Sequence, residues 1–235
     1  HTSRPSRQAE KRTKPMTSHD LSLAHLARRP RATPGDDPPL LVLFHGYGSN
    51  EEDLFALAPY LDERLLVISA RAPLMLMPGS YAWFEIAFTA EGIAVDPYQA
   101  RLSGKTAAEF VEEAVRAYGA DPKRVLVGGF SQGGSMAAIV ALTRPDLVAG
   151  AVVLSGIVPS ELTDAAPQPE LLAGKPFFVG HGTADTVVPV AHGRASRELL
   201  EGLGAALTYR EYPGMAHEIN AACLADVQTW LRERL

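Results

Sequence analysis

The sequence predicts an α/β fold: a mostly parallel central sheet with helices on both faces. Short apolar runs alternate with helix-like stretches from residue 40 onward, and the order repeats strand, helix, strand, helix. The runs are also mostly continuous rather than alternating in polarity, as expected of strands covered on both faces. Strands are read at "LLVLF" (40–44), "LLVISA" (65–70), "RVLVGG" (124–129), "GAVVLS" (150–155), "KPFFVG" (175–180) and "ALTYREY" (206–212). Helices are read from Ser49-x-x-Glu52, a capping-box spacing, and then over 105–118, 134–143, 191–203 and 220–234.

The chain has 235 residues, 46% of them apolar and 21% charged, enough for one full core. Residues 1–35 read as an irregular or disordered arm, closed by the Pro-rich "PGDDPP" at 34–39, and residues 36–235 as a single domain. Residues 1–15 are rich in Arg and Lys without an apolar segment, which argues against an export signal, and Met16 is a candidate start. No stretch approaches the roughly 20 apolar residues that span a bilayer. The net charge of −5 and the dispersed basic residues give nucleic-acid binding no electrostatic source. The lone cysteine, Cys223, allows no internal disulfide and reads as a buried structural thiol, consistent with a reducing, cytoplasmic setting. A small, neutral or weakly polar molecule is the expected partner, with the protein a monomer or homodimer.

Gly129-Phe130-Ser131-Gln132-Gly133 fits G-x-S-x-G directly after one predicted strand and before a predicted helix, the context a nucleophile elbow requires. Small residues on both sides let the chain turn sharply and lift the hydroxyl above the sheet. Read alone, the motif is equally a plain Gly-rich turn. The glycine spacing rules out two phosphate-binding motifs: Phe130 and Ser131 occupy positions a dinucleotide fingerprint needs as glycine, and Gly134 stands where a P-loop needs lysine.

A serine becomes a nucleophile only when a base takes its proton, and the base needs an acid to hold its tautomer. Three histidines follow Ser131. His181 precedes its nearest acid and breaks the elbow-hydrolase order; His192 falls in a predicted helix, where a solvated role is simpler. His217, in the Gly-bearing loop "YPGMAHEI", is the candidate base. Asp185, in "HGTADTVVP" after the strand 175–180, reaches the same sheet edge and is the candidate acid. Asp146 belongs to the opposite edge, and Asp164 lies in a long polar loop. "HGYG" (45–48) ends the first core strand and offers the Tyr47 amide, beside that of Gln132, as oxyanion donors. His45 precedes the nucleophile and reads as support for this loop. No H-E-x-x-H or cysteine cluster suggests a metal.

Five blocks, "LVLFHGYGSNEEDL", "AWFEI", "GGFSQGGSMA", "GHGTADTVVPV" and "GMAHEI", resemble in that order the phospholipase/carboxylesterase branch of the α/β-hydrolases, over residues 40–235. The resemblance implies an α/β-hydrolase catalytic domain over 36–235 and functional positions at Ser131, Asp185 and His217, with oxyanion amides at Tyr47 and Gln132. Tyr47 stands where many thioesterase members carry a small aliphatic residue. The implied reaction is hydrolysis of carboxylic esters or thioesters through an acyl-enzyme, with no cofactor and no metal. An acyltransferase on the same scaffold, or a non-catalytic binding module, are the alternatives. Leu74 to Met77, held between Pro73 and Pro78, and Trp83 after them are the expected apolar wall for short-to-medium acyl chains, with Leu74, Met75 and Trp83 as its contacts.

Overall fold

A computed structural model describes residues 21–31, 37–89, 92–162 and 169–235. Seven strands form one sheet: β1 (His25–Arg28), β2 (Leu40–Phe44), β3 (Leu66–Ala70), β8 (Val125–Phe130), β9 (Gly150–Leu154), β10 (Pro176–Gly182) and β11 (Ala206–Tyr212). Their spatial order is β1-β3-β2-β8-β9-β10-β11. All neighbours are parallel except β1, which runs antiparallel along β3. Two small hairpins stand outside the sheet: β4 (Leu74–Met77) with β5 (Ser80–Ala82), and β6 (Ile86–Thr89) with β7 (Gly92–Val95).

The continuous apolar runs are explained by two cores, one on each face. Along β2, Leu40, Val42 and Phe44 join one cluster while Leu41 and Leu43 join the other. The first face carries α2 (Pro97–Tyr118), α3 (Gln132–Thr143) and α4 (Val190–Gly202); the second carries α1 (Glu51–Phe55) and α5 (Ala221–Arg232). Cys223 is fully buried in the second core, and burial pushes its thiol up to about 12, so it stays protonated near neutrality. Among the described residues no helix is long and apolar enough to cross a membrane.

Besides the two hairpins, which the sequence reading did not place, three elements differ from it. The α1 cap is Asn50, not Ser49: Asn50 Oδ1 accepts from Glu52 N at 2.9 Å, and the Ser49 hydroxyl donates to Asp53 instead. The helix expected over 105–118 begins at Pro97, capped by Asp96, because proline suits the first helical position, where no N–H is needed. The arm expected to be irregular contains β1. Residues 1–20 and 32–36 of that arm lie outside the described residues.

β1 is short and half-buried, and Arg28 ties it down. Its guanidinium donates to Ala58 O (2.8 Å), Leu61 O (3.0 Å), Asp62 O (2.7 Å) and Leu65 O (3.1 Å), closing the loop between α1 and β3. A planar fork reaches four carbonyls at once, whereas an ammonium does not. Arg28→Ala is therefore expected to lower unfolding free energy by about 2–3 kcal/mol, and Arg28→Lys to recover only part of it. Urea titration followed by circular dichroism measures both; equal stability of Arg28→Lys and the parent contradicts the fork.

Candidate active site

In a parallel sheet, ligands collect beyond the carboxyl ends of the strands, where the chain order reverses. Here β2 and β8 flank that point: the chain moves from β2 outward to β3, then crosses to β8 and proceeds the other way. The loop after β2 and the turn after β8 face each other across the crevice.

Ser131 occupies the turn between β8 and α3 with φ 56° and ψ −121°, left-handed backbone that a side chain rarely adopts. Its amide donates to Leu154 O at 2.8 Å, and its carbonyl accepts from Ser135 N at 3.1 Å. The flanking glycines are required by close approach: a Cβ on Gly129 would overlap the Gly133 backbone, and one on Gly133 would overlap the carbonyl of Phe44. The G-x-S-x-G spacing is thus a packing requirement as much as a turn signal.

His217 reaches the site from the loop between β11 and α5. Its Nε2 lies 2.9 Å from Ser131 Oγ and its Nδ1 2.8 Å from Asp185 Oδ2. Asp185 has no exposed side-chain surface, and its Oδ1 accepts from Val187 N (2.9 Å) and Val188 N (2.8 Å). An ionised carboxylate only accepts, so the imidazole proton sits on Nδ1, leaving Nε2 to accept from the serine hydroxyl. The Phe130 ring packs against the imidazole, centroids 4.7 Å apart.

Tyr47 lies in the loop after β2, where Gly46 passes so close that a Cβ there would stand 3.5 Å from Ser131 Cβ. Gln132 opens α3, where a backbone amide has no intrahelical partner. Buried His45 braces the loop: Ala72 N donates to its Nε2 (3.0 Å), so Nδ1 carries the proton to Gly46 O (2.8 Å). Burial lowers its basicity, in keeping with a neutral ring. The β4–β5 hairpin clamps the loop from outside. Gly48 N donates to Tyr81 O, Tyr81 N to Ser49 O, and Ser80 Oγ to Gly48 O. Arg71 forks onto Glu51 of α1 and stacks over the Tyr81 ring at 4.7 Å.

The expected substrate wall is elsewhere. Ser131, His217, Tyr47 and Gln132 open into a cavity of about 570 Å³, within the range of small-molecule sites, but Leu74, Met75 and Trp83 are not among its lining residues. The prolines at 73 and 78 flank β4, the outer strand of the β4–β5 hairpin, where Met75 is 62% and Met77 63% exposed. Trp83 is buried, edge-on to Phe44, with its Nε1 donating to His45 O at 3.0 Å. The apolar wall consists instead of Phe84, Ile86, Val95, Ile139, Val158 and Leu199. These come from five separate segments, so no single stretch announces them; Phe84 and Ile86, both in the "AWFEI" block, are the part that lies within a recognised motif.

Of the other candidates, His192 lines the cavity from α4, exposed. His181 is buried behind Asp185. Asp146 pairs with Arg144 at 2.9 and 2.8 Å, away from the site. Asp164 lies outside the described residues. Among those described, no group of three or more His, Cys, Asp or Glu could hold a metal ion.

The fold and this crevice define an α/β-hydrolase. The chain belongs to the phospholipase/carboxylesterase family, whose model matches residues 32–235. It is 33% identical over 168 residues to an acyl-protein thioesterase 1 of Neurospora crassa, covering 68% of this chain and 67% of that protein. It is 30% identical over 209 residues to a probable carboxylesterase of Oryza sativa subsp. japonica, covering 83% and 88%. Among solved structures it is similar to the esterase PE8 (TM-score 0.78, 27% identity, 92% of this chain and 99% of that one). The Bacillus cereus carboxylesterase is comparable (TM-score 0.76, 26% identity, 92% and 97%).

Left-handed backbone at a residue with a side chain stores about 1–3 kcal/mol. Ser131→Gly is therefore expected to unfold at higher urea than Ser131→Ala, since both lack the hydroxyl and only glycine relieves the strain. The reverse order in paired denaturation curves contradicts a strained elbow.

Proposed function

We propose that this protein is a serine hydrolase that cleaves carboxylic esters or thioesters of short-to-medium acyl chains through Ser131, His217 and Asp185. The observation that carries the reading is the pair of hydrogen bonds that run from Ser131 Oγ through His217 to Asp185, at 2.9 and 2.8 Å. His217 Nε2 takes the hydroxyl proton as Ser131 Oγ attacks the carbonyl carbon. Asp185 stabilises the imidazolium that forms. The Tyr47 and Gln132 amides donate to the oxyanion, the latter at the positive end of α3. His217 then protonates the departing alkoxide or thiolate, and water repeats the sequence on the acyl-enzyme. Residues 36–235, with β1 completing the sheet, act as one catalytic unit. The single, buried, protonated Cys223 supports a reducing, cytoplasmic setting.

Ser131→Ala and His217→Ala are each expected to lower kcat for an aryl ester by several orders of magnitude, and the double variant to be little worse. Asp185→Asn is expected to cost about 10⁴, because the amide holds the wrong tautomer. A fluorophosphonate probe should label the parent rapidly and Ser131→Ala not at all. Unlabelled parent protein, or near-normal turnover by either alanine variant, refutes the triad.

The apolar wall governs acyl length. Each buried methylene contributes about 0.8 kcal/mol, so kcat/KM is expected to rise severalfold per carbon from acetate toward butyrate or hexanoate until the cavity is full. Ile86→Asp should flatten that series, whereas Met75→Asp, on the outward hairpin, should leave it intact. A steady fall from acetate onward, or flattening by Met75→Asp alone, overturns this placement of the wall.

A further inference from the structure

A second imidazole lies against the acid. His181, near the end of β10, is fully buried; its Nε2 lies 2.7 Å from Val188 O and 3.6 Å from Asp185 Oδ2. A carbonyl only accepts, so Nε2 carries the proton and Nδ1 is a bare acceptor. That Nδ1 is buried without a hydrogen-bond partner. A buried polar atom left unpaired works against stability, so a position that required only bulk would be better served by Phe or Leu. The surroundings hold the ring in one pose: a Cβ on Gly193 of α4 would stand 2.8 Å from Nδ1 and 3.0 Å from both Cβ and Cγ of His181. Glycine costs a helix stability relative to alanine. At this position it leaves room for the imidazole.

We infer that His181 is a positioning residue for Asp185. It anchors the Val188 carbonyl and so closes the 185–188 turn, whose Val187 and Val188 amides fix Asp185 Oδ1. At 3.6 Å its N–H edge does not hydrogen-bond Oδ2, but it presents a positive dipole there while leaving that oxygen's one short bond to His217. The carboxylate therefore meets His217 in a single orientation. The inference rests on the triad reading above, with Asp185 as its acid.

His181→Phe keeps a ring and removes the N–H; His181→Gln restores an amide N–H at similar reach. With an aryl ester, His181→Phe is expected to lose about tenfold to a hundredfold in kcat at unchanged KM, with fluorophosphonate labelling slowed in parallel. His181→Gln should recover most of that loss, which no purely space-filling role provides. Gly193→Ala should press its methyl on the ring and lower kcat in the same sense, with its folding checked by circular dichroism. The inference is overturned if folded His181→Phe keeps kcat within about twofold, or if its loss comes with a raised KM and is not rescued by Gln. If His181→Phe does not fold, full kcat in Gly193→Ala overturns it. Parent protein that resists the probe refutes the triad itself. A parent that is labelled, beside Ser131→Ala that is not, leaves the triad standing while these variants judge His181 alone.

Discussion

The left-handed backbone of Ser131 is held open by two hydrogen bonds and two close contacts. Its amide is fixed to Leu154 of β9, and its carbonyl to the first turn of α3. Gly129 and Gly133 let that turn sit directly against the end of β2. A conformation costing about 1–3 kcal/mol persists only where its surroundings determine it from several sides. Here the determinants are three adjacent strands and a helix buried along nearly its whole length. The serine hydroxyl is consequently presented by a turn fixed between the sheet and a buried helix, and the loops carrying the other groups come to it.

How they come to it is visible in the polar contacts around Gln132. Its Oε1 accepts from Trp83 N at 2.9 Å, and its Nε2 donates to Phe84 O at 2.7 Å. Trp83 in turn donates to His45 O, and His45 donates to Gly46 O beside Tyr47. An unbroken set of buried, satisfied groups thus links Gln132, the residue after Ser131, to the opposing loop that carries Tyr47. Buried networks stabilise one arrangement only when every member is paired, and this one is paired throughout. It explains why Trp83, an apparent pocket residue, is instead a strut, and why its neighbour Phe84 faces the cavity.

The catalytic candidates were legible in the sequence because each sits next to a strong local signal. Ser131 lies between glycines that packing demands, Asp185 and His217 follow runs recognisable as strands, and Tyr47 follows the first of them. Most strand positions were legible for a related reason: in β2, β8 and β9, burial on both faces leaves no charged or polar residue to interrupt the run. β1 was hidden because an edge strand of four half-buried residues has no such run, and its place depends on Arg28 reaching carbonyls far along the chain. The cavity wall was hidden more deeply. "LMLM" has the composition of a pocket wall and the prolines to frame one, but cross-strand pairing with 80–82 turns it outward. Composition reports how apolar a segment is; which way it faces depends on partners the local sequence does not contain.

That difference in legibility follows from a division of labour within the crevice. Ser131, Asp185 and His217 follow β8, β10 and β11, strands locked in register with their neighbours, so their separations are set by the sheet. Much of the wall comes from the β6–β7 hairpin, the loop after β9 and α4. The hairpin pairs with no other strand among the described residues, and a two-stranded ribbon alone is only marginally stable in water. Its inward residues, Ile86 and Val95, line the cavity, and Ile86 also packs against the first core. Substitutions there alter the shape and depth of the cavity, whereas equivalent changes at Gly133 would collide with the β2 backbone. The shape of the cavity can therefore change while the turns that carry Ser131, Asp185 and His217 keep their geometry.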